Sequence, residues 1–229
     1  MTSMEIELKQ ISKYYQVPGK EKRMVLDNLS LKIESGDSVA IVGPSGSGKS
    51  TLLNLISSLD QANSGVILHG EREIGKLGED EVAQFRNRNL GFIFQSHHLL
   101  PQLSLIENVL VPLIPEKDKK IKVEAEKRAQ ELIDFVGLSG QISQLPGQMS
   151  GGECQRTAVV RALIHQPGLL LADEPTGSLD KQSADQLGDL LVSINEKQKV
   201  TLVVVTHSMD LAKKMKKIYK LDNGKLSKI

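Results

Sequence analysis

Gly43-Pro44-Ser45-Gly46-Ser47-Gly48-Lys49-Ser50 follows the spacing of a phosphate-binding loop, two glycines separated by four residues and followed by Lys and Ser. The glycines free successive backbone N–H groups to turn inward toward phosphate oxygens. A helix opening near Gly48 adds the positive end of its dipole. Lys49 brings a full charge to the terminal phosphates, and Ser50 a hydroxyl suited to Mg²⁺. The pattern carries meaning only between a strand and a helix. Residues 39–42 are a short apolar run, and 49–59 place Leu52, Leu53, Leu55 and Ile56 at helical spacing. An ordinary glycine-rich turn has no need of both.

Two further segments offer complementary chemistry. Leu169-Leu170-Leu171-Ala172-Asp173-Glu174 is an apolar strand ending in paired acids. Burying such a pair without cations is costly. In isolation it reads equally as a strand leaving the core for a polar loop. Beside a phosphate loop the two acids have separate uses: Asp173 can hold Mg²⁺ through water, and Glu174 can polarise an attacking water. Val203-Val204-Val205-Thr206-His207 is a second buried strand, and it places His207 at the same sheet edge, within reach of a terminal phosphate. The adjacent His97 and His98 lack the company a metal site requires.

The elements that must position these groups are legible in outline. Ile6, Leu8 and Ile11, then Leu29, Leu31 and Ile33, alternate as antiparallel strands do. Residues 91–94 read as a short strand. From Ser96 to about His165 the character changes: 108–115 is apolar and proline-punctuated, 122–136 is charged with apolar positions at helical spacing, and 153–164 reads as a helix. This is a helical insertion in an α/β core. The core resumes with the strand at 169–172, a helix at 183–196, a buried parallel strand at 200–205 and a basic helix at 209–217. Asp222-Asn223-Gly224 signals a closing hairpin. There is no internal repeat, low-complexity tract or long linker.

Composition narrows the function classes. The 229 residues suit one large domain, and 39% hydrophobic residues are enough for a core. With 29 basic against 28 acidic residues the chain lacks the charge of a duplex-binding protein, and no nucleic-acid partner is expected. The single Cys154 excludes an internal disulfide and fits a reducing compartment. Glu5, Glu7 and Lys9 stand where a signal peptide would be apolar, and no apolar run reaches the roughly 18 residues that span a bilayer. Any contact with a membrane is therefore expected to pass through a partner.

Ser150-Gly151-Gly152-Glu153-Cys154-Gln155-Arg156 decides the class. A serine and two glycines opening a helix form a second anion site. This segment resembles the signature of the ABC ATPases. From Ile6 to the C-terminus the chain is similar to the nucleotide-binding subunits of ABC transporters. The phosphate loop, Gln95 after a short strand, the signature, the paired acids, Ser178-Leu179-Asp180 and His207 follow in the family's order. The resemblance implies an α/β P-loop NTPase of ABC type, with an N-terminal antiparallel β region and an inserted α-helical subdomain. The whole chain would form one ATP-binding domain, its α/β core at about 1–95 and 166–229 and the helical part at about 96–165. It implies ATP and Mg²⁺ as ligands, with Ser50, Gln95 and Asp173 at the metal, Thr51 joining the cradle, and Lys49, Glu174 and His207 catalytic. Tyr15, or alternatively Tyr14, would stack on adenine, and Asp180 would organise the seam of a homodimer in which Ser150, Gly151 and Gly152 reach the other chain's ATP. An integral membrane permease would complete the complex, with this subunit peripheral on the cytoplasmic face of the inner membrane.

A narrower likeness lies in Phe92-Ile93-Phe94-Gln95-Ser96-His97-His98-Leu99-Leu100-Pro101 and Leu105-Ile106-Glu107-Asn108-Val109, which look like the lipoprotein-releasing and macrolide-export ATPases. Two positions depart from the pattern: Met149 replaces a usual leucine and Cys154 a usual arginine or glutamine. At a helix start the dipole would favour a thiolate at Cys154, but incidental packing is the favoured reading over a redox or alkylation switch. Three other readings compete. A DNA-repair motor needs long coiled coils or zinc insertions that this chain lacks. A small-molecule kinase leaves the signature without a purpose. A regulator of a membrane complex in cell division or cell-wall remodelling shares every motif and differs only in its partner.

Overall fold

The computed structural model describes residues 3–16, 19 and 21–229. β1 (Ile6–Tyr15) and β2 (Arg23–Ile33) pair antiparallel, with Ile6 opposite Ile33 and Tyr15 opposite Arg23. The alternating Ile6, Leu8, Ile11, Leu29, Leu31 and Ile33 are all buried, as a half-covered sheet demands. There follow β3 (Ser38–Val42), α1 (Lys49–Ile56), β4 (Ser64–His69), β5 (Arg72–Glu73), α2 (Glu79–Asn89), β6 (Leu90–Ile93), α3 (Leu105–Leu110), α4 (Lys119–Phe135), α5 (Gly151–Leu163) and β7 (Leu169–Asp173). α6 (Lys181–Gln198), β8 (Thr201–Thr206), α7 (Met209–Ala212), β9 (Lys217–Asp222) and β10 (Lys225–Lys228) complete the chain. Among the described residues the strands form two sheets, of order β2-β1-β4-β5 and β10-β9-β3-β8-β7-β6.

The second sheet is parallel from β9 to β6, and β10 closes it as an antiparallel edge. Its central strands β3, β8 and β7 are apolar on both faces because both faces are covered. Ala40, Val42, Leu170, Ala172, Leu202 and Val204 point to a cluster shared with α3, α4, α5, α6 and α7. Their neighbours Val39, Ile41, Leu169, Leu171, Val203 and Val205 point to a second cluster with α1, β1 and β2. Each such side chain contributes about 1.5–3 kcal/mol of burial, so the sheet is a stiff platform. Its parallel strands end together: Val42 is level with Thr206, Asp173 with Val205, and Ile93 with Ala172. Whatever follows those four strands is delivered to one edge, where open α/β sheets bind ligands.

Several sequence expectations need adjusting. The helix read at 49–59 stops at Ile56, and Ser58 turns left-handed at φ 55°. The helix read at 209–217 is one turn ending at Ala212, because Lys217 must already run beside Val39 as a strand. The segment 64–89, which offered no clear period, holds β4, β5 and α2. Of α2 only Phe85 is buried, so no apolar stripe announces it. The closing hairpin is as expected, with Asn223 and Gly224 both at positive φ (48° and 74°) as a type I′ turn requires.

Candidate active site

The loop after β3 enters α1 through Gly48, whose φ of 101° is left-handed, and a Cβ there would lie 2.9 Å from Val25 Cγ1. Glycine meets both demands. Lys49, only 7% exposed, donates to the carbonyls of Gly43 (2.9 Å) and Pro44 (3.1 Å). Ser50 Oγ donates to Asp173 Oδ1 at 3.2 Å. Ser47 Oγ is buried with no hydrogen-bond partner among the described residues, an orphan in the loop that leads into α1.

Glu174 takes the left-handed conformation (φ 45°), and its N–H donates to Val205 O at 2.9 Å. Such a φ is uncommon for a side chain of this size. It turns the carboxylate onto the end of β8. There Oε2 accepts from Thr206 Oγ1 (3.0 Å), His207 N (3.1 Å) and His207 Nδ1 (2.9 Å). Oε1 is left 3.9 Å from the Lys49 ammonium. Burial pushes the Asp173 carboxyl above its ordinary range; the Ser50 hydroxyl opposes this, the Glu174 charge adds to it and Lys49 opposes it. A cleft of about 930 Å³ gathers Tyr15, Ser45, Gly46, Gly48, Lys49, Ser50, Thr51, Gln95, Glu174 and His207. Gln95 lies across Gly177, where a Cβ would come within 3.0 Å of its amide nitrogen, and its carbonyl accepts from Ser178 Oγ at 3.2 Å.

Residues 26–177 match the family model described as ABC transporter. The chain belongs to the ABC transporter family. It is 46% identical to the lipoprotein-releasing system ATP-binding protein LolD of Pseudoalteromonas translucida, covering 99% of this chain and 97% of that one. It is 41% identical to LolD of Idiomarina loihiensis over 100% and 99% of the two chains. Among solved structures, the dimeric post-hydrolysis state of the ATP-binding cassette MJ0796 bound to ADP and Pi superposes with a TM-score of 0.85 at 36% identity, covering 97% of this chain and 98% of that one. The chain is thus an ABC-type ATPase, with the α/β fold of those cassettes.

In this ABC ATPase the signature does not line the cleft of its own chain. Ser150 caps α5 in a reciprocal box with Glu153: Ser150 N and Oγ donate to Glu153 Oε2 (2.7 and 2.8 Å), and Glu153 N donates back to Ser150 Oγ at 3.3 Å. Gly151 and Gly152 lie against Leu179 and Ser183, at the start of α6. Asp180 caps that helix, accepting from Ser183 N (2.9 Å) and Ser183 Oγ (2.6 Å). α5 also holds the segment around Gln95. Gln155 Nε2 donates to Phe94 O (2.8 Å), and the Arg161 guanidinium donates to His97 O and His98 O (2.7 Å each).

Tyr15 lines the cleft and Tyr14 does not; the Tyr14 ring carries the Lys22 ammonium 4.5 Å from its centroid. Glu21, Arg23 and Val25 also line it, and motif spacing gave no sign of them. The pairing of Tyr15 with Arg23 would have pointed there had the β1–β2 register been known. Thr206 was passed over as a mere strand residue.

Cys154 is a packing residue, and the thiolate alternative is not supported. The side chain is 3% exposed, packed with Leu99, Met149 and Ala158, and its Sγ donates to Pro146 O at 3.6 Å. Burial raises the thiol above its ordinary value and the Glu153 carboxylate raises it further. Alkylation of the native protein at neutral pH is expected to run at least about tenfold slower than in urea, since the thiol is reached only through local opening. Equal rates would show an accessible cysteine.

Proposed function

We propose that two copies of this ATPase close on two ATP molecules, each held between one chain's phosphate loop and the other's Ser150 helix start, and that the stroke drives a membrane permease which releases lipoproteins. The observation that carries this reading is the separation of the two anion sites: Lys49, Ser50, Glu174 and His207 line one cleft, while the Ser150 box lies outside that lining, with Gly151 and Gly152 against Leu179 and Ser183. A single chain therefore offers an unfinished site twice over. The lipoprotein cargo is taken from what the LolD relatives are named for.

Within the cleft the assignments follow the geometry. The backbone N–H groups of 45–51 and the Lys49 ammonium take the phosphates, and the orphan Ser47 hydroxyl gains a partner. Ser50, Gln95 and Asp173 would hold Mg²⁺, which supplies charge neutralisation across the phosphates when bound. The hydroxyl–carboxylate pair at 3.2 Å and a half-buried acid whose carboxyl is raised by burial suit that cation. Glu174 Oε1, the oxygen not engaged by three donors, accepts the proton of the water that attacks the terminal phosphorus as its bond to ADP breaks. A carboxylate only accepts, so His207 donates from Nδ1 to Glu174. The same neutral ring cannot also donate from Nε2; to donate to a phosphate it must leave Glu174 or take a second proton. Tyr15 is assigned to the adenine.

Among the described residues no helix is long and apolar enough to cross a membrane, so force must pass to a partner across a surface. Leu100 (41% exposed) and Pro101 follow Gln95 at the surface, whereas Leu99, Leu105 and Val109 are core. Leu100→Asp is expected to keep the isolated ATPase rate and to abolish its stimulation by the permease reconstituted in vesicles with a lipidated protein. Unchanged stimulation would place the contact elsewhere. A stimulated ATPase that releases no lipoprotein would favour a regulatory complex over a transporter.

A further inference from the structure

Lys13 is a lysine where burial is unusual. It is 7% exposed on β1, and its Nζ donates to Asp60 Oδ1 at 2.6 Å and to the Gln61 carbonyl at 2.8 Å. Lysines are rarely buried unless paired, and this one is paired twice. The other oxygen of Asp60 accepts from the Tyr15 hydroxyl at 2.8 Å, and the Lys13 ammonium stands 4.8 Å from the centre of the Tyr15 ring. Three side chains thus close a triangle with Asp60 at its apex. Burial alone would raise the Asp60 carboxyl, but the bonds from Lys13, Tyr15 and the Gln61 N–H outweigh it and bring it below its ordinary range. Neighbouring bonds fix the same junction: Asn63 Oδ1 accepts from Tyr14 N (2.8 Å), and Asn63 N donates to Ser12 O (2.9 Å).

The place of the triangle matters. Asp60 and Gln61 lie on the chain that leaves the far end of α1, the helix whose first residues are Lys49 and Ser50. Tyr15, 45% exposed, lines the nucleotide cleft. Without the tether an exposed tyrosine at a strand end would sample several rotamers. With it, the ring is oriented in advance and referenced to the helix that carries the phosphate ligands. We propose that Lys13 and Asp60 are positioning residues for the nucleotide base, acting through Tyr15 by locking its ring and by placing a cation on it. The proposal rests on the assignment of Tyr15 to the adenine. Preorganising one side chain in this way is worth about 3- to 10-fold in affinity.

The test is titration of the full chain with ATP and, separately, with tripolyphosphate, which has no base. Asp60→Asn and Tyr15→Phe are each expected to weaken ATP about 3- to 10-fold, and in Asp60→Asn KM is expected to rise with kcat held within about twofold. Tripolyphosphate affinity is expected to stay at the wild-type value. Lys13→Met is expected to behave like Asp60→Asn, and Lys13→Arg to restore ATP affinity. In a Tyr15→Ala background Asp60→Asn is expected to add nothing. Tyr15→Phe removes only a hydroxyl and reports even if Lys13→Met folds poorly. If Asp60→Asn weakens ATP and tripolyphosphate alike, or changes neither while Tyr15→Ala loses ATP affinity, the pair is merely structural and the proposal falls alone. If Tyr15→Ala binds ATP as wild type does, the base assignment falls and takes the proposal with it.

Discussion

Glu174→Gln is expected to slow ATP turnover by about 10²–10⁴, the range for loss of a general base, while leaving ATP binding intact. The geometry explains why binding survives. Oε2 of Glu174 accepts from Thr206 Oγ1, His207 N and His207 Nδ1. A glutamine can leave its oxygen with those three donors and turn its NH₂ to the place of Oε1. The side chain then keeps its position and loses only the atom able to accept a proton. ATP should therefore be trapped, and the variant is expected to run as a two-chain species in size-exclusion chromatography with Mg-ATP. Single-turnover hydrolysis measures the rate directly. A rate within about threefold of wild type would contradict a general-base role for Glu174.

Lys49→Ala should have the second largest effect, here on binding. The Lys49 ammonium is 3.9 Å from Glu174 Oε1 and holds the carbonyls of Gly43 and Pro44. Losing one charge-assisted contact to phosphate costs about 1.5–3 kcal/mol, or roughly 10- to 150-fold in affinity. Equilibrium unfolding with and without Mg-ATP reads this out. At one hundred times its Kd, ATP should stabilise the wild type by about 2.7 kcal/mol; a variant with hundredfold weaker binding should gain about 0.4 kcal/mol at the same concentration. The variant also forfeits its two bonds inside the loop, so each increment is taken from that protein's own nucleotide-free baseline. A full increment in Lys49→Ala would remove Lys49 from the phosphates. No increment in the wild type would overturn the phosphate-loop assignment.

What the sequence disclosed of the site follows from how the site is built. Four parallel strands end level, and a group proposed for the nucleotide site follows each: Lys49 and Ser50 after β3, Glu174 after β7, His207 after β8 and Gln95 after β6. Each group is therefore local to an apolar run, and an apolar run is visible in one dimension. Thr206, Glu21 and Arg23 were missed because their relevance arises only where distant segments meet. Thr206 reaches Glu174 across 32 residues. Cys154 shows the limit of a local rule: the helix start alone would favour a thiolate, whereas burial against Leu99 and Ala158 raises the thiol. The stretch 64–89 stayed silent because β4 is half-buried and α2 commits one side chain to the core, leaving no period to detect. The division into core and helical parts was drawn from a change of character along the chain. The packing is more continuous, with Leu105, Leu132 and Val159 in the same apolar cluster as Ala40 and Val204.

Three carbonyls, of Phe94, His97 and His98, are pinned by Gln155 and Arg161, both on α5. The same helix begins at Ser150. Sliding the 94–98 segment along α5 would break all three bonds, two of them to a guanidinium and each of those worth about 1.5–3 kcal/mol. Tilting α5 as a whole breaks none. The segment and the helix are thereby fastened together, so in the proposed dimer a push on exposed Leu100 would be felt both at Gln95 and at the Ser150 end of α5. A single displacement at that surface would arrive at two nucleotides in phase, with no separate timing device between them.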